Sequence, residues 1–227
     1  MIKIKYLGHS AFEIVFNGAT LIFDPFISPN EAAAAIDVQS LKADYVLLSH
    51  GHGDHVYDAE VIARKNDALI ISSYEVVTWY EQKGLKGHGM NLGGKWKFDF
   101  GYVKYVQAVH SSMLPDGSFG GPSGGFVIWD DKHCFYFAGD TALTMDMKLI
   151  PVTCPQLDFA ILPVGDNFTM GYEDALIAAG YIQCDNIIGC HFDTFGFIKI
   201  NHEDAVKAFE NEGKTLILPE IGQNIEF

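Results

Sequence analysis

Residues 45–55 read Tyr45-Val-Leu-Leu-Ser-His50-Gly-His52-Gly-Asp54-His55. The first half is a short apolar run of the kind that forms a buried strand. The second half places three imidazoles and a carboxylate within six positions. A neutral imidazole presents a nitrogen lone pair at cellular pH, which makes histidine the commonest metal ligand. Gly51 and Gly53 let the backbone turn, so side chains this close in sequence can converge. A strand running straight into such a turn predicts a ligand cluster at the carboxyl edge of a sheet.

Other ligand-type residues stand in equivalent places. His110 follows a predicted strand at Tyr102–Val109. Asp140, within Ala138-Gly-Asp-Thr141, follows one at Cys134–Ala138, and His191 follows one at Asn186–Cys190. If these strands share a direction, all of these side chains open onto one edge. Further strands are predicted at Ile2–Leu7, Ala11–Phe16, Ala19–Asp24, Leu69–Ser72, Lys95–Phe100, Gly125–Trp129, Asp158–Leu162 and Thr215–Leu218. Asn17-Gly18 marks a hairpin between the second and third of the chain. Helices are predicted at Asp58–Lys65 (capped by Asp58), Tyr74–Gln82, Tyr172–Gln183 and His202–Asn211. Hairpins followed by strand–helix alternation, in each of two halves, predict an α/β architecture of two mixed sheets packed together with helices on their outer faces. No linker, repeat or low-complexity tract interrupts the chain, so residues 1–227 read as one domain.

Composition narrows the function classes. The 227 residues carry 15 basic against 29 acidic groups, a net charge of −14, and Arg64 is the only arginine. Nucleic-acid and anionic-membrane partners call for a basic footprint that the chain lacks. The four cysteines show no CxxC spacing and read as free thiols in a reducing compartment. The N-terminal MIKIKYLGHS alternates like a strand and has no signal-peptide core, and no apolar run is long enough for a bilayer. The expectation is a cytoplasmic protein with a small-molecule substrate and no membrane partner, with a homo-oligomer left open.

The HxHxDH run at His50–His55, followed by His110, Asp140 and His191, resembles the metallo-β-lactamase superfamily over essentially the whole chain. Gly8-His9-Ser10, Asp24-Pro25, Ala138–Thr141 and Gly165–Met170 look like a small group of uncharacterised metal-dependent hydrolases similar to the ascorbate-phosphate lactonase branch. The resemblance implies a four-layer αββα sandwich and a dinuclear site. His50, His52 and His110 would hold the first divalent ion, Asp54, His55 and His191 the second, and Asp140 would bridge them. Nitrogen and oxygen ligation suits Zn, Mn, Fe or Ni, and the resemblance tilts the choice to zinc or manganese. Such ions lower the pKa of bound water to about 7, so a bridging hydroxide oriented by Asp54 is the expected nucleophile. The expected reaction is hydrolysis of a small soluble ester, lactone or phosphodiester. The competing reading is a metal-containing nucleotide- or nucleic-acid-binding regulatory protein with little turnover.

Other residues carry two readings each. His9 could line the pocket, bond to the site, or be a satisfied strand-end histidine. The resemblance gives Asp24 an orienting role toward a ligand imidazole; as a bare sequence it is also a turn aspartate. Asp166, Asn167 and Thr169 are candidate substrate contacts or parts of a helix-approach loop. Asp193 and Thr194 could support the ligands or be loop polarity. Gly117–Gly125 reads as a flexible pocket rim or an irregular connection. His88 (in a glycine-rich turn), His133 and His202 read as surface residues, and Cys190 as a core thiol.

Overall fold

The computed structural model describes residues 1–227. The chain forms β1 (Lys3–Gly8), β2 (Ala11–Phe16), β3 (Ala19–Phe23), β4 (Tyr45–Leu47), β5 (Leu69–Ser73) and β6 (Gly87–Met90). It then crosses to β7 (Lys95–Phe98), β8 (Gly101–Gln107), β9 (Gly124–Trp129), β10 (Cys134–Phe137), β11 (Phe159–Pro163), β12 (Asn186–Cys190) and β13 (Thr215–Ile217). The last strand, β14 (Asn224–Glu226), returns to the first sheet. The spatial orders are β14-β1-β2-β3-β4-β5-β6 and β13-β12-β11-β10-β9-β8-β7. Each sheet begins with antiparallel hairpins and turns parallel where helices intervene, at β3–β4–β5–β6 and β10–β11–β12–β13.

Side-chain alternation explains the layering. Leu21 and Phe23 of β3 face inward, where they pack with Leu47, Ile71, Phe126, Phe135 and Ile161 between the sheets. Ile22 points the other way, joining Val46 and Ile70. Over that outer face lie α2 (Ala59–Asn66) and α3 (Tyr74–Glu81), preceded by the one-turn α1 (Gly53–Val56). Across the molecule, Ala160, Leu162 and Ile187 form the outer face of the second sheet. It is covered by α5 (Tyr172–Tyr181) and α6 (His202–Asn211), with the short α4 (Ile150–Thr153) before them. Three apolar layers thus separate four layers of structure, the αββα sandwich. Period-2 strands with both faces buried need this arrangement.

Several sequence expectations need correction. His88 lies in strand β6 beside Trp96 and Phe98 rather than in a turn. Strand β8 ends at Gln107, so His110 stands three residues beyond it. Asp58 occupies the position before α2, but it makes no side-chain cap. Its carboxylate instead accepts from the backbone N–H groups of Ile27 and Ser28 and from the Ser28 hydroxyl. Residues 117–123 are an irregular connection, and the two glycines that follow open β9 at points of close approach: a Cβ on Gly124 would stand 2.4 Å from the Tyr105 ring, and one on Gly125 2.5 Å from the Phe137 carbonyl.

No helix is long and apolar enough to cross a membrane.

Candidate metal centre

Four strand ends share one device. His9 after β1, Asp24 after β3, Gly139 after β10 and His191 after β12 all adopt left-handed φ, between 37° and 62°. This region is uncommon outside glycine and swings the chain out of the strand direction. It turns side chains from both sheets toward one edge. Gly139 sets the direction of Asp140, and a Cβ there would stand 2.5 Å from the Cβ of Ser49. Gly139→Ala is therefore expected to destabilise the protein by about 2–4 kcal/mol, from strain plus overpacking. Equilibrium urea unfolding measures this.

The turn after β4 and the edge of the second sheet bring the ligand-type atoms together. Those of His50, His52 and His110 lie within 4.8 Å of one another, and so do those of His9, Asp54, His55 and His191. Asp140 stands between the groups. Its Oδ2 is 3.0 Å from His191 Nε2, 3.2 Å from His55 Nε2 and 3.6 Å from His110 Nε2. Two donors bound to one ion at about 2.1 Å stand about 3.0–3.4 Å apart, so this spacing suits a shared coordination sphere. His50 Nε2, His55 Nε2, Asp140 Oδ1 and His191 Nδ1 are buried without a hydrogen-bond partner. Orphaned buried polar atoms are rare and call for an explanation. For the orphans that face one another here, an ion between them would supply it.

Asp24 organises the site from behind. Its carboxylate is fully buried and accepts from Ser49 N at 2.7 Å, Ser49 Oγ at 2.5 Å and His55 Nδ1 at 2.8 Å. Because the Ser49 hydroxyl donates to Asp24, it accepts from His50 Nδ1 at 2.9 Å. One carboxylate thus fixes the tautomer of an imidazole in each group and leaves both Nε2 lone pairs facing the site.

Electrostatics agree with this division. Burial keeps His50 well below the ordinary histidine value, and it also lowers His52 and His110, so these rings stay neutral. His55 behaves in the opposite way. Burial opposes its cation, but Asp140 and Asp24 on either side outweigh burial and raise it well above the ordinary value. In the ion-free chain its proton offsets the carboxylates. Burial also opposes ionisation of Asp140, but His55 and His191 hold that carboxyl well below the usual range. Asp54 follows the same logic: the His9 hydrogen bond and the field of His55 overcome its burial and keep it ionised.

His9 does not line the cavity. It is buried, and its Nε2 lies 3.3 Å from Asp54 Oδ2 while Nδ1 lies 3.0 Å from Thr194 Oγ1. Burial lowers its pKa to about 4. A neutral ring therefore joins Asp54 to Thr194. Asp193 turns away, to His202 and the N–H of Ile200. Asp166, Asn167 and Thr169 are not brought into the cavity either. Asp166 and Asn167 are exposed and left-handed, Asp166 accepts from the N–H of Asn167, and the Thr169 hydroxyl bonds to the Met170 carbonyl. They shape the turn that delivers Phe168.

The ligand-type groups open onto a cavity of about 790 Å³, lined also by Ser111, Phe168, Thr194, Phe195 and Phe197. Ser111 and the three phenylalanines escaped the sequence reading. The only available signal for two of them was the aromatic run Phe192-Asp-Thr-Phe195-Gly-Phe197 directly after His191.

A β-lactamase superfamily domain model matches residues 3–191, and with the sandwich and the ligand cluster it defines a metal-dependent hydrolase of that superfamily. The chain is 56% identical over 224 residues to a UPF0173 metal-dependent hydrolase of Flavobacterium johnsoniae, covering 99% of both chains. It is 52% identical over 225 residues to its counterpart in Christiangramia forsetii, again over 99% of both. By these matches the chain belongs to the UPF0173 metal-dependent hydrolase family. Among solved structures it is similar to Igni18, a metallo hydrolase of Ignicoccus hospitalis, with a TM-score of 0.89, 31% identity and coverage of 100% of this chain and 99% of that one.

Proposed function

We propose that the protein is a dinuclear hydrolase of small soluble esters, lactones or phosphodiesters, acting in the cytoplasm and using zinc or manganese. His50, His52 and His110 would hold one ion, Asp54, His55 and His191 the other, and Asp140 would serve both. The observation that supports this reading is the convergence of seven ligand-type side chains, several with orphaned buried atoms; five of the seven (His52, Asp54, His110, Asp140 and His191) line one open cavity, with His50 and His55 buried behind them. Divalent ions held by these residues would acidify water and polarise the oxygen under attack.

The chain's own residues do the rest. Asp54 is 30% exposed and faces the cavity. His9 holds its Oδ2, and the other oxygen has no protein partner. As an ionised acceptor it orients the attacking water. Asp24 and Ser49 keep His55 and His50 in the tautomers that face the site. The −14 net charge and the absence of lysine or arginine from the cavity count against a nucleic-acid-binding role.

The test is a panel of lactone, ester and phosphodiester substrates, assayed with chelated and metal-reloaded protein alongside elemental analysis. The expected result is two ions per chain and turnover that appears only on reloading. Full occupancy with no turnover of any class would favour a binding protein instead. Asp54→Ala is expected to lower kcat by about 100-fold or more, as loss of a positioned acid–base group does, while circular dichroism shows an intact fold. Near-normal kcat would remove Asp54 from the mechanism.

A further inference from the structure

The cavity wall has a character of its own. Away from the ligands it is aromatic: Phe195 lies deeper, and Phe168 and Phe197 meet edge to face at 6.5 Å near the mouth. Phe168 is 51% exposed and Phe197 79% exposed. Two large aromatic side chains from different loops, half or more in water beside a hydrolytic floor, offer apolar surface that an incoming molecule can cover. The only other polar wall groups are the uncharged hydroxyls of Ser111 and Thr194. No lysine or arginine lines the cavity, and the single arginine, Arg64, sits on α2 paired with Glu60. Recognition of a phosphate normally uses such cations, because they neutralise charge and fork onto the oxygens.

From the phenylalanine pair and the uncharged wall, we infer that the cavity takes a neutral ester or lactone bearing an alkyl or aryl substituent, in preference to a phosphodiester or a phosphate-bearing lactone. This rests on the hydrolytic reading of the site. In the reaction, water's oxygen adds to the acyl carbon and the acyl C–O bond breaks. The departing oxygen leaves as an alcohol, and the products are a carboxylate and one proton. The substituent lies along Phe168 and Phe197.

The test pairs turnover with binding. Metal-loaded protein is assayed with δ-valerolactone, with δ-decalactone, which adds a pentyl chain, and with methyl pentyl phosphate. Binding is read separately by saturation-transfer NMR with 2-pentyltetrahydropyran, the uncleavable ether counterpart of the decalactone. The expected result is kcat/KM for the decalactone at least about tenfold above both other compounds, a size typical of apolar pocket discrimination, with saturation transferred to the pentyl protons. Phe197→Ala should cut the decalactone-to-valerolactone ratio about tenfold and weaken ether binding, and Phe197→Leu should restore most of both. Preferred turnover of the phosphodiester, or a chain-length ratio unmoved by Phe197→Ala and Phe168→Ala, would overturn the inference. Ether binding that depends on Phe197, with no substrate cleaved, would uphold the apolar cavity and overturn the hydrolytic reading alone.

Discussion

Asp140→Ala is expected to yield a folded protein whose metal-dependent kcat/KM has fallen by about 10³-fold or more. Metal-ion catalysis supplies several kcal/mol of transition-state stabilisation, and each 1.36 kcal/mol is about tenfold in rate. Asp140 is the one carboxylate within 3.6 Å of imidazoles from both groups, so its removal weakens both ion positions at once. Its side chain lies at the sheet edge, outside the three apolar clusters, so the sandwich keeps its packing. Elemental analysis should show a loss of bound metal, and circular dichroism an unchanged fold. A variant that keeps its metal and its rate would refute the place assigned to Asp140.

The second large effect is on stability. Asp24→Ala is expected to destabilise the protein by about 3–5 kcal/mol, the size seen when one partner of a buried charged network is removed. For a chain of this length that lowers Tm by roughly 6–20 °C. The loss strands three buried donors: the Ser49 amide, the Ser49 hydroxyl and His55 Nδ1. It also releases the tautomers of His50 and His55 together, so metal affinity should fall about 10–100-fold. Asp24→Asn separates the contributions. Asparagine tolerates the left-handed backbone at φ 37° and occupies the same volume, but its single oxygen can replace only Oδ2 and leaves its NH2 against the Ser49 N–H, so only part of the stability should return. An amide can still accept from His55, but it brings no charge, so metal affinity should stay reduced. Scanning calorimetry and a competitive zinc titration read the two effects apart. Equal recovery of both in the asparagine variant would show that shape alone matters at this position.

The parts of the fold that were legible are those where hydrophobic period and turn chemistry agree. Ala11–Phe16 and Ala19–Phe23, joined by Asn17-Gly18, stand where their alternation puts them. So do the helices at Tyr172 and His202. Strand β6 was not legible. Its four residues, Gly-His-Gly-Met, have no apolar period, and they are held by parallel pairing to β5 and packing against α3. The three-residue β14 is likewise recruited by β1 and has no pattern of its own. In the site, the imidazoles and carboxylates that meet were all visible as residue types at strand ends. The contacts behind them were less so. Asp24 reaching His50 through Ser49 depends on a left-handed strand end that the sequence does not encode in any residue-type signal. Asp166, Asn167 and Thr169 are candidate substrate contacts in the sequence because the Gly165–Met170 motif of the resembled group falls there, yet the structure spends them on a turn and gives the wall to Phe168.

The two ligand groups do not respect the division between the sheets. His50, His52, Asp54 and His55 follow β4 of the first, whereas His110, Asp140 and His191 follow strands of the second. Any ion gripped by both sides is therefore a removable crosslink across the sandwich, closing a loop of about 60 residues between His50 and His110, or of more than a hundred between His55 and His191, much as a disulfide would in an oxidising compartment. Linkages of that span are worth on the order of 4 kcal/mol through the unfolded chain alone. Removal of the metal would then do more than silence the site: it would also loosen the hold of one sheet on the other.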